Sequence, residues 1–308
     1  MNQEVYHIPA LLPQTIDALD IKPSGVYADC TYGGGGHSAA ILAALGPDGR
    51  LFGFDQDEDA VRRAPAAGDP RFTMVYGNFR YLRNFLEYYG VDGEVDGVLA
   101  DLGVSFHHFD DPDRGFSFRW DGALDMRMNR RARRSAADLL ADVSQEHLTE
   151  MLRLYGELRQ APRLAAAIVR ARAEAPVDTV ERLRAIVEPL LDRRAVKKEM
   201  AQLFQALRIE VNDELGALRR LLSAALHTLR PGGRLAIITY HSLEDRLVKN
   251  FMRTGNLEGR EAKDFFGRST SPMRLLNSKP IVPDEAEIEA NPRSRSAKLR
   301  VAEKLSPQ

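Results

Sequence analysis

The chain has little of what usually betrays a function at sight. Among 308 residues there is one cysteine, Cys30, and one tryptophan, Trp120. A single thiol excludes an internal disulfide framework and any multi-cysteine zinc site, and it fits a reducing, cytoplasmic setting. Long apolar runs are missing as well. The longest is seven residues, Ala39–Leu45, where a membrane helix needs about 20. The first twenty residues carry Glu4, Pro9 and Pro13 and no basic start, which argues against a secretory signal. Net charge is nearly absent too: 43 Lys+Arg face 44 Asp+Glu, leaving −1. Bulk attraction to a nucleic acid is thereby excluded, and any RNA or DNA partner must be held by a local patch. What is present, 44% apolar and 28% charged residues, is the composition of a soluble globular protein.

The first hundred residues alternate strand-like and helical patterns. Val26–Cys30, Arg50–Asp55, Phe72–Tyr76 and Val95–Asp101 read as strands, with helices over Ser38–Leu45, Asp57–Ala64 and Phe79–Tyr89 between them. Such alternation predicts a parallel, doubly wound α/β sheet. The next convincing strand is Arg234–Tyr240, roughly 130 residues on, where one crossover helix with its loops needs about 30. A gap of that size predicts an inserted domain, and its content reads as helix: Gln145–Tyr155, Arg159–Arg172, Thr179–Leu191 and Lys197–Leu229. In the last of these Leu203, Leu207, Val211, Leu215, Leu218 and Leu222 form an amphipathic stripe. A helix over Glu244–Met252, a polar stretch to Pro283 and a final strand near Ala297–Glu303 follow.

Asp29-Cys-Thr-Tyr-Gly-Gly-Gly-Gly-His37 stands where the first strand gives way to a helix. Glycines there let backbone amides approach a ligand, and a helix start offers unpaired N–H donors. Asp55 closes the second strand, 20 residues after Gly35, a spacing at which an acid can accept from both ribose hydroxyls of an adenosine. Dinucleotide binding competes poorly, because Ser38 occupies the third glycine position of G-x-G-x-x-G. A plain tight turn stays open. Asp101 ends the fourth strand and belongs in the same crevice, because ligands of open α/β sheets bind beyond the carboxyl ends of strands. Asn78-Phe79, after the third strand, is placed to flank an adenine ring. Together these four strand ends are a signature of S-adenosylmethionine binding.

These residues bring a family into view. The chain resembles the bacterial RsmH (MraW) methyltransferases, which methylate the N4 amine of a cytidine in the decoding region of 16S ribosomal RNA. The likeness runs through His7-x-Pro9-x-Leu11-Leu12, Thr31-Tyr-Gly-Gly-Gly-Gly-His37-Ser38, Asp101-Leu-Gly-Val-Ser105 and Arg114-Gly-Phe-Ser-Phe118. It continues in Asp121-Gly-x-Leu-Asp-Met-Arg127-Met, Phe204-Gln-Ala-Leu-Arg-Ile-Glu-Val-Asn212, His241-Ser-Leu-Glu-Asp-Arg246 and Asn291-Pro-Arg-Ser-Arg-Ser-Ala-Lys-Leu-Arg300. The resemblance implies a Rossmann-like class I methyltransferase sheet over residues 1–110 and 210–308, with an all-helical domain inserted at 111–209. It further implies that Gly35, Gly36, His37, Asp55, Phe79 and Asp101 contact S-adenosylmethionine. His108 stands where the family has a cofactor-contacting glutamine.

Cytosine N4 is a poor nucleophile, its lone pair being delocalised into the ring, so methyl transfer needs alignment and an acceptor for the amine hydrogens. Asp101 is expected beside the transferred methyl and His241 in the same crevice, where His241 serves either the substrate or the cap of the following helix. Seven arginines against two aspartates fill residues 114–134, and Arg114 and Arg127, with Arg293 and Arg295 of a second cluster, are the expected contacts to the RNA backbone. Phe116 and Phe118 are expected to pack the insertion rather than stack on bases. Cys30 reads as a small buried residue, and His107-His108 without a carboxylate at ligand spacing gives no metal site. The expected partner is 16S rRNA within the small ribosomal subunit, with no membrane and with a homodimer left open. Alternatives are a methyltransferase on another RNA or a protein, an RNA-binding ribosome assembly factor that keeps the cofactor fold without turnover, and, more remotely, a nicotinamide dehydrogenase.

Overall fold

Residues 9–62, 64, 68–103, 109 and 111–306 are described by a computed structural model. In chain order it begins with α1 (Leu12–Leu19), β1 (Val26–Asp29), α2 (Gly36–Ala44), β2 (Arg50–Asp55), α3 (Glu58–Arg62), β3 (Phe72–Tyr76), α4 (Leu82–Tyr88) and β4 (Val95–Asp101). Six helices follow: α5 (Ala136–Asp142), α6 (Gln145–Leu154), α7 (Ala161–Glu174), α8 (Val180–Val187), α9 (Val196–Asn212) and α10 (Glu214–Thr228). Then come β5 (Leu229–Thr239), α11 (Ser242–Thr254), β6 (Met273–Leu275), α12 (Glu285–Ala290) and β7 (Lys298–Lys304). Among the described residues no helix is long and apolar enough to cross a membrane.

Seven strands form one sheet in the order β3-β2-β1-β4-β5-β7-β6. β1 to β5 are parallel neighbours, while β7 lies antiparallel between β5 and β6. This is the doubly wound α/β sheet that the strand and helix alternation predicts, with β7 added antiparallel. Alternation along each strand splits its side chains between two cores. On β5, Leu235 and Ile237 join Ala28, Phe52 and Phe54 on one face. Ala236 and Ile238 join Tyr27, Leu51 and Leu99 on the other, with Leu19 of α1 and Ile41 of α2. Apolar side chains on both faces, in near-continuous runs, are what a buried parallel sheet requires. The strand order reverses between β1 and β4, so the crevice of the fold opens at their carboxyl ends.

The chain divides into two compact units, Met1–Gly103 with Gly216–Gln308, and Val104–Leu215. The second has its own core, including Leu139, Leu148, Leu164, Ile168, Leu183, Leu203 and Leu207. The sequence reading set its cuts at 111 and 209; the helical unit takes in the whole of α9. One expected element is corrected. The helix read as continuous over Lys197–Leu229 is two, broken where Asp213 turns left-handed at φ 47°. Asn212 explains the stop: its amide donates to the Met126 and Arg208 carbonyls and its oxygen accepts from the Met128 N–H. The Arg208–Glu214 ion pair, 2.8 Å, then spans the break. The apolar spacing runs across the break although Leu203 and Leu207 pack in the helical core and Leu218 and Leu222 in the sheet core, which is why periodicity alone ran the two helices together.

Candidate active site

The glycine run folds as the sequence demands. After β1 the chain turns at Gly33 (φ 52°) and Gly35 (φ 77°) before α2 begins at Gly36. A Cβ on Gly35 would stand 2.6 Å from the Tyr32 hydroxyl, and one on Gly36 2.3 Å from Pro9 Cγ. Gly34 differs, since nothing lies within 4 Å of its Cβ position. The Gly35 amide is spent on the Tyr32 carbonyl at 2.7 Å. Those of Gly36 and His37 open α2, where helix geometry supplies no acceptor.

Two carboxylates flank this loop. Asp55 ends β2 with Oδ2 accepting the Gly33 N–H and Oδ1 the Asp57 N–H, both at 2.8 Å. Burial pushes it up to about 6; the two amides oppose this, and Asp57 and Asp29 add to it. Each oxygen keeps a further acceptor site. Asp101 ends β4, and its backbone N–H donates to Thr31 Oγ1 at 2.6 Å, tying β4 to the loop after β1. Its Oδ1 accepts the Tyr240 hydroxyl at 2.8 Å, and its Oδ2 lies 3.8 Å from His37 Nδ1. Burial also lifts Asp101 to about 6, against the pull of His37 and Tyr240. His37 is 5% exposed. Burial holds its imidazole below the ordinary histidine range, although Asp101 and the Ala10 backbone draw it upward. Among the described residues its buried Nε2 has no hydrogen-bond partner. Beneath the loop, buried Asp29 accepts from Ser38 Oγ at 2.6 Å and from the Thr31 N–H.

Phe79 opens a 3-10 helix, Phe79–Tyr81, half-buried and packed against the sheet core. Asn78 caps it and donates to Gln56 Oε1 at 2.7 Å, which links the ends of β2 and β3. Bonds of Asp55 to Gly33, of Asp29 to Thr31 and Ser38, and of Asp101 to Thr31 and Tyr240 thus tie the strand ends to the glycine loop. Cys30 is buried, and burial, with Asp29 nearby, pushes its thiol well up, so at neutral pH it is no thiolate nucleophile. His108 lies outside the described residues.

His241 sits at the N-cap of α11. Its Nδ1 accepts the Glu244 N–H at 3.5 Å, and its Nε2 is 3.1 Å from Glu244 Oε1 without hydrogen-bond alignment. The side chain is 7% exposed, so of the two roles expected for it, capping is the one these contacts serve. The four arginines differ sharply. Arg114 is 1% exposed, and its Nη2 donates to the carbonyls of Arg127 and Met128. It organises a loop of the helical unit, and the phosphate contact expected of it does not carry forward. Arg127 forms a two-point pair with Asp125 and donates to the Ala132 carbonyl. Arg293 and Arg295 are exposed on the 3-10 helix Pro292–Ser296. Phe116 is buried and Phe118 packs edge-on to Phe204, centroids 5.6 Å apart.

Sequence reasoning missed Tyr240 and Thr31. Both adjoin strand ends that had been marked, and Tyr240 was read only as the last residue of a strand. The usable signal was position: the residue just past β5 neighbours the end of β4.

The MraW methylase family matches residues 4–305. A protein of Parabacteroides distasonis named "Ribosomal RNA small subunit methyltransferase H" is 58% identical over 300 residues, 97% of this chain and 98% of that one. A protein of the same name from Bacteroides fragilis is 58% identical over 303 residues, 98% of this chain and 99% of its own. Among solved structures, the S-adenosylmethionine dependent methyltransferase from Mesorhizobium loti aligns with 95% of this chain and 96% of its own at 13% identity and a TM-score of 0.40. With a family match over nearly its whole length and relatives that share more than half of its residues end to end, the chain belongs to the MraW methylase family.

Proposed function

We propose that this protein transfers a methyl group from S-adenosylmethionine to the N4 amine of a cytidine in the decoding region of 16S ribosomal RNA, and that it meets this RNA within the small ribosomal subunit. The observation that carries the substrate is the shared name of full-length relatives at 58% identity. The cofactor is supported independently by the chemistry of the crevice. Asp55 has acceptor capacity left for a ribose diol, Asp101 offers a carboxylate to a cationic centre, and the buried Nε2 of His37 is without a partner among the described residues. The donor and acceptor set fits S-adenosylmethionine.

Asp55, the amides of Gly36 and His37, Phe79 and Asp101 are the residues that would hold the cofactor, which supplies an electrophilic methyl when bound. Asp101 belongs beside the transferred methyl, on the cofactor side and within reach of the incoming amine. An ionised carboxylate there favours the positive charge that builds on nitrogen as its lone pair is drawn from the ring. His241 holds the end of β5 by capping α11, and a direct substrate contact is not needed for that. Arg293 and Arg295 would meet backbone phosphates. Residues 1–110 with 210–308 form the methyltransferase domain of this reading and 111–209 its helical insertion.

The test is labelled methyl transfer to small subunits from cells lacking this protein, followed by identification of the modified nucleoside. Label in N4-methylcytidine is the expected result. Cofactor binding without transfer to any subunit preparation would instead make the chain an assembly factor.

A further inference from the structure

Asp101 enters the crevice with its two oxygens already distinguished. Oδ1 accepts the Tyr240 hydroxyl at 2.8 Å, whereas Oδ2 stands 3.8 Å from His37 Nδ1, beyond a direct hydrogen bond. Tyr240 is itself held in place. Its backbone N–H donates to Glu244 Oε2 at 3.2 Å, and the next residue, His241, caps α11. On the ring side, a Cβ at Gly103 would stand 3.2 Å from Tyr240 Cδ2. The exit of β4 therefore runs against the aromatic ring, with Gly103 at φ 121°, a backbone open to glycine and strained for other residues.

We propose that Tyr240 is a positioning residue of the methyl transfer: by gripping Oδ1 of Asp101 it leaves Oδ2 as the atom that serves the ligand, and it holds that carboxylate in its ionised form. This rests on the reading of Asp101 as a cofactor-side residue. The groups that face Asp101 come from four elements: Asp29 from β1, His37 from α2, Tyr240 after β5 and Glu244 from α11. Asp29 and Glu244 oppose its ionisation, as burial does. His37 favours it, but burial depresses the imidazole, so that contribution fades as pH rises. The phenol is the constant donor. Burial, then Asp101, Glu244 and Glu287, push Tyr240 far above the ordinary tyrosine range, so it keeps its proton throughout the range in which an enzyme works.

The experiment compares Tyr240→Phe with the parent. Cofactor affinity is measured by calorimetry from pH 5.5 to 9, alongside single-turnover transfer to small subunits. The parent should lose affinity for S-adenosylmethionine below a midpoint near 6, where Asp101 titrates alongside Asp55. Removal of one hydrogen bond to a carboxylate should move that midpoint up by about one pH unit. The variant then binds about tenfold more weakly at low pH and converges with the parent above pH 8.5. An unmoved midpoint, a loss equal at every pH, or a parent with no acid midpoint would each overturn the proposal. Asp101→Asn provides a second arm that does not depend on how Tyr240→Phe folds. It should remove Asp101's share of the acid loss and leave only that of Asp55, which also titrates near 6, and an acid profile identical to the parent's would equally refute the assignment. If the proposed RNA substrate is wrong, the parent transfers nothing to subunits while the shift in cofactor affinity is still seen. If only the role of Tyr240 is wrong, transfer occurs and the shift is absent.

Discussion

Burying a carboxylate is costly, and the crevice does it at Asp55 and again at Asp101. Both titrate near 6 in the folded chain, against about 3.9 in the unfolded one. Between roughly pH 4 and 6 the folded state therefore holds protons that the unfolded state has released. Stability falls as pH rises through that window, and the full penalty is present above it. Asp101→Asn removes the titration, and its Oδ1 can still accept from Tyr240. Its stabilising effect at pH 8 should exceed that at pH 4.5 by about 1–2 kcal/mol, read from urea unfolding at the two pH values, while cofactor affinity drops. Asp55→Asn should not repay in the same way. Both Asp55 oxygens accept backbone N–H groups, so one of them would face an amide NH2, at a cost of about 1–3 kcal/mol. Equal stabilisation by the two variants would contradict this account. The same contrast between residue type and partner separates the arginines: all four carry one charge, and only Arg293 and Arg295 present it at an exposed position.

At the scale of elements, the loop between β1 and α2 contains four glycines with different reasons to be there. Gly35 has a left-handed φ and a Cβ position 2.6 Å from Tyr32. Gly35→Ala should cost about 1–2 kcal/mol for the backbone conformation alone, visible as a lowered Tm without any ligand. Gly34 has room for a Cβ, so Gly34→Ala should melt within about 1 °C of the parent. If its open side belongs to the cofactor, it should weaken binding of S-adenosylmethionine, measured by calorimetry. Parental affinity in Gly34→Ala would show that the cofactor lies elsewhere along the loop. Much of this level was legible beforehand. β2, β3 and β4 were bounded to the residue, because apolar runs ending in Asp55, Tyr76 and Asp101 are set off by polar turns. The break at Asp213 was not legible, because it depends on what Asn212 reaches in Met126 and Met128, residues far away in sequence. α12 was not predicted, since Asp284–Glu289 lacks an apolar face; Asp284 caps it, and Glu287 accepts the Leu11 N–H. Tyr240 fell between the two cases, its position readable and its partner not.

For the whole molecule, a net charge of −1 leaves affinity for RNA to a few exposed cations. Arg293 and Arg295 offer such charge on one unit, and Arg131 and Arg133 on the other. Each phosphate neutralised contributes about 0.7 to the slope of log K against log salt for single-stranded RNA. Four contacts would give a slope near −3, a loss of about sixtyfold between 50 and 200 mM salt. Replacement of Arg293 and Arg295 together by glutamate should flatten that slope by about 1.4. Filter binding of small subunits across a salt series is the measurement. If Arg293 and Arg295 hold backbone phosphates equally in the bound substrate and in the transition state, as proposed, the change should appear in KM, with kcat kept within about twofold. A strongly reduced kcat at saturating subunit would place them in the chemistry instead, and an unaltered slope would remove them from the RNA interface. The distinction matters for how such an enzyme turns over. A chain that held RNA by overall positive charge would keep its product, whereas one with near-zero net charge and a handful of phosphate contacts can let the methylated site go at physiological salt.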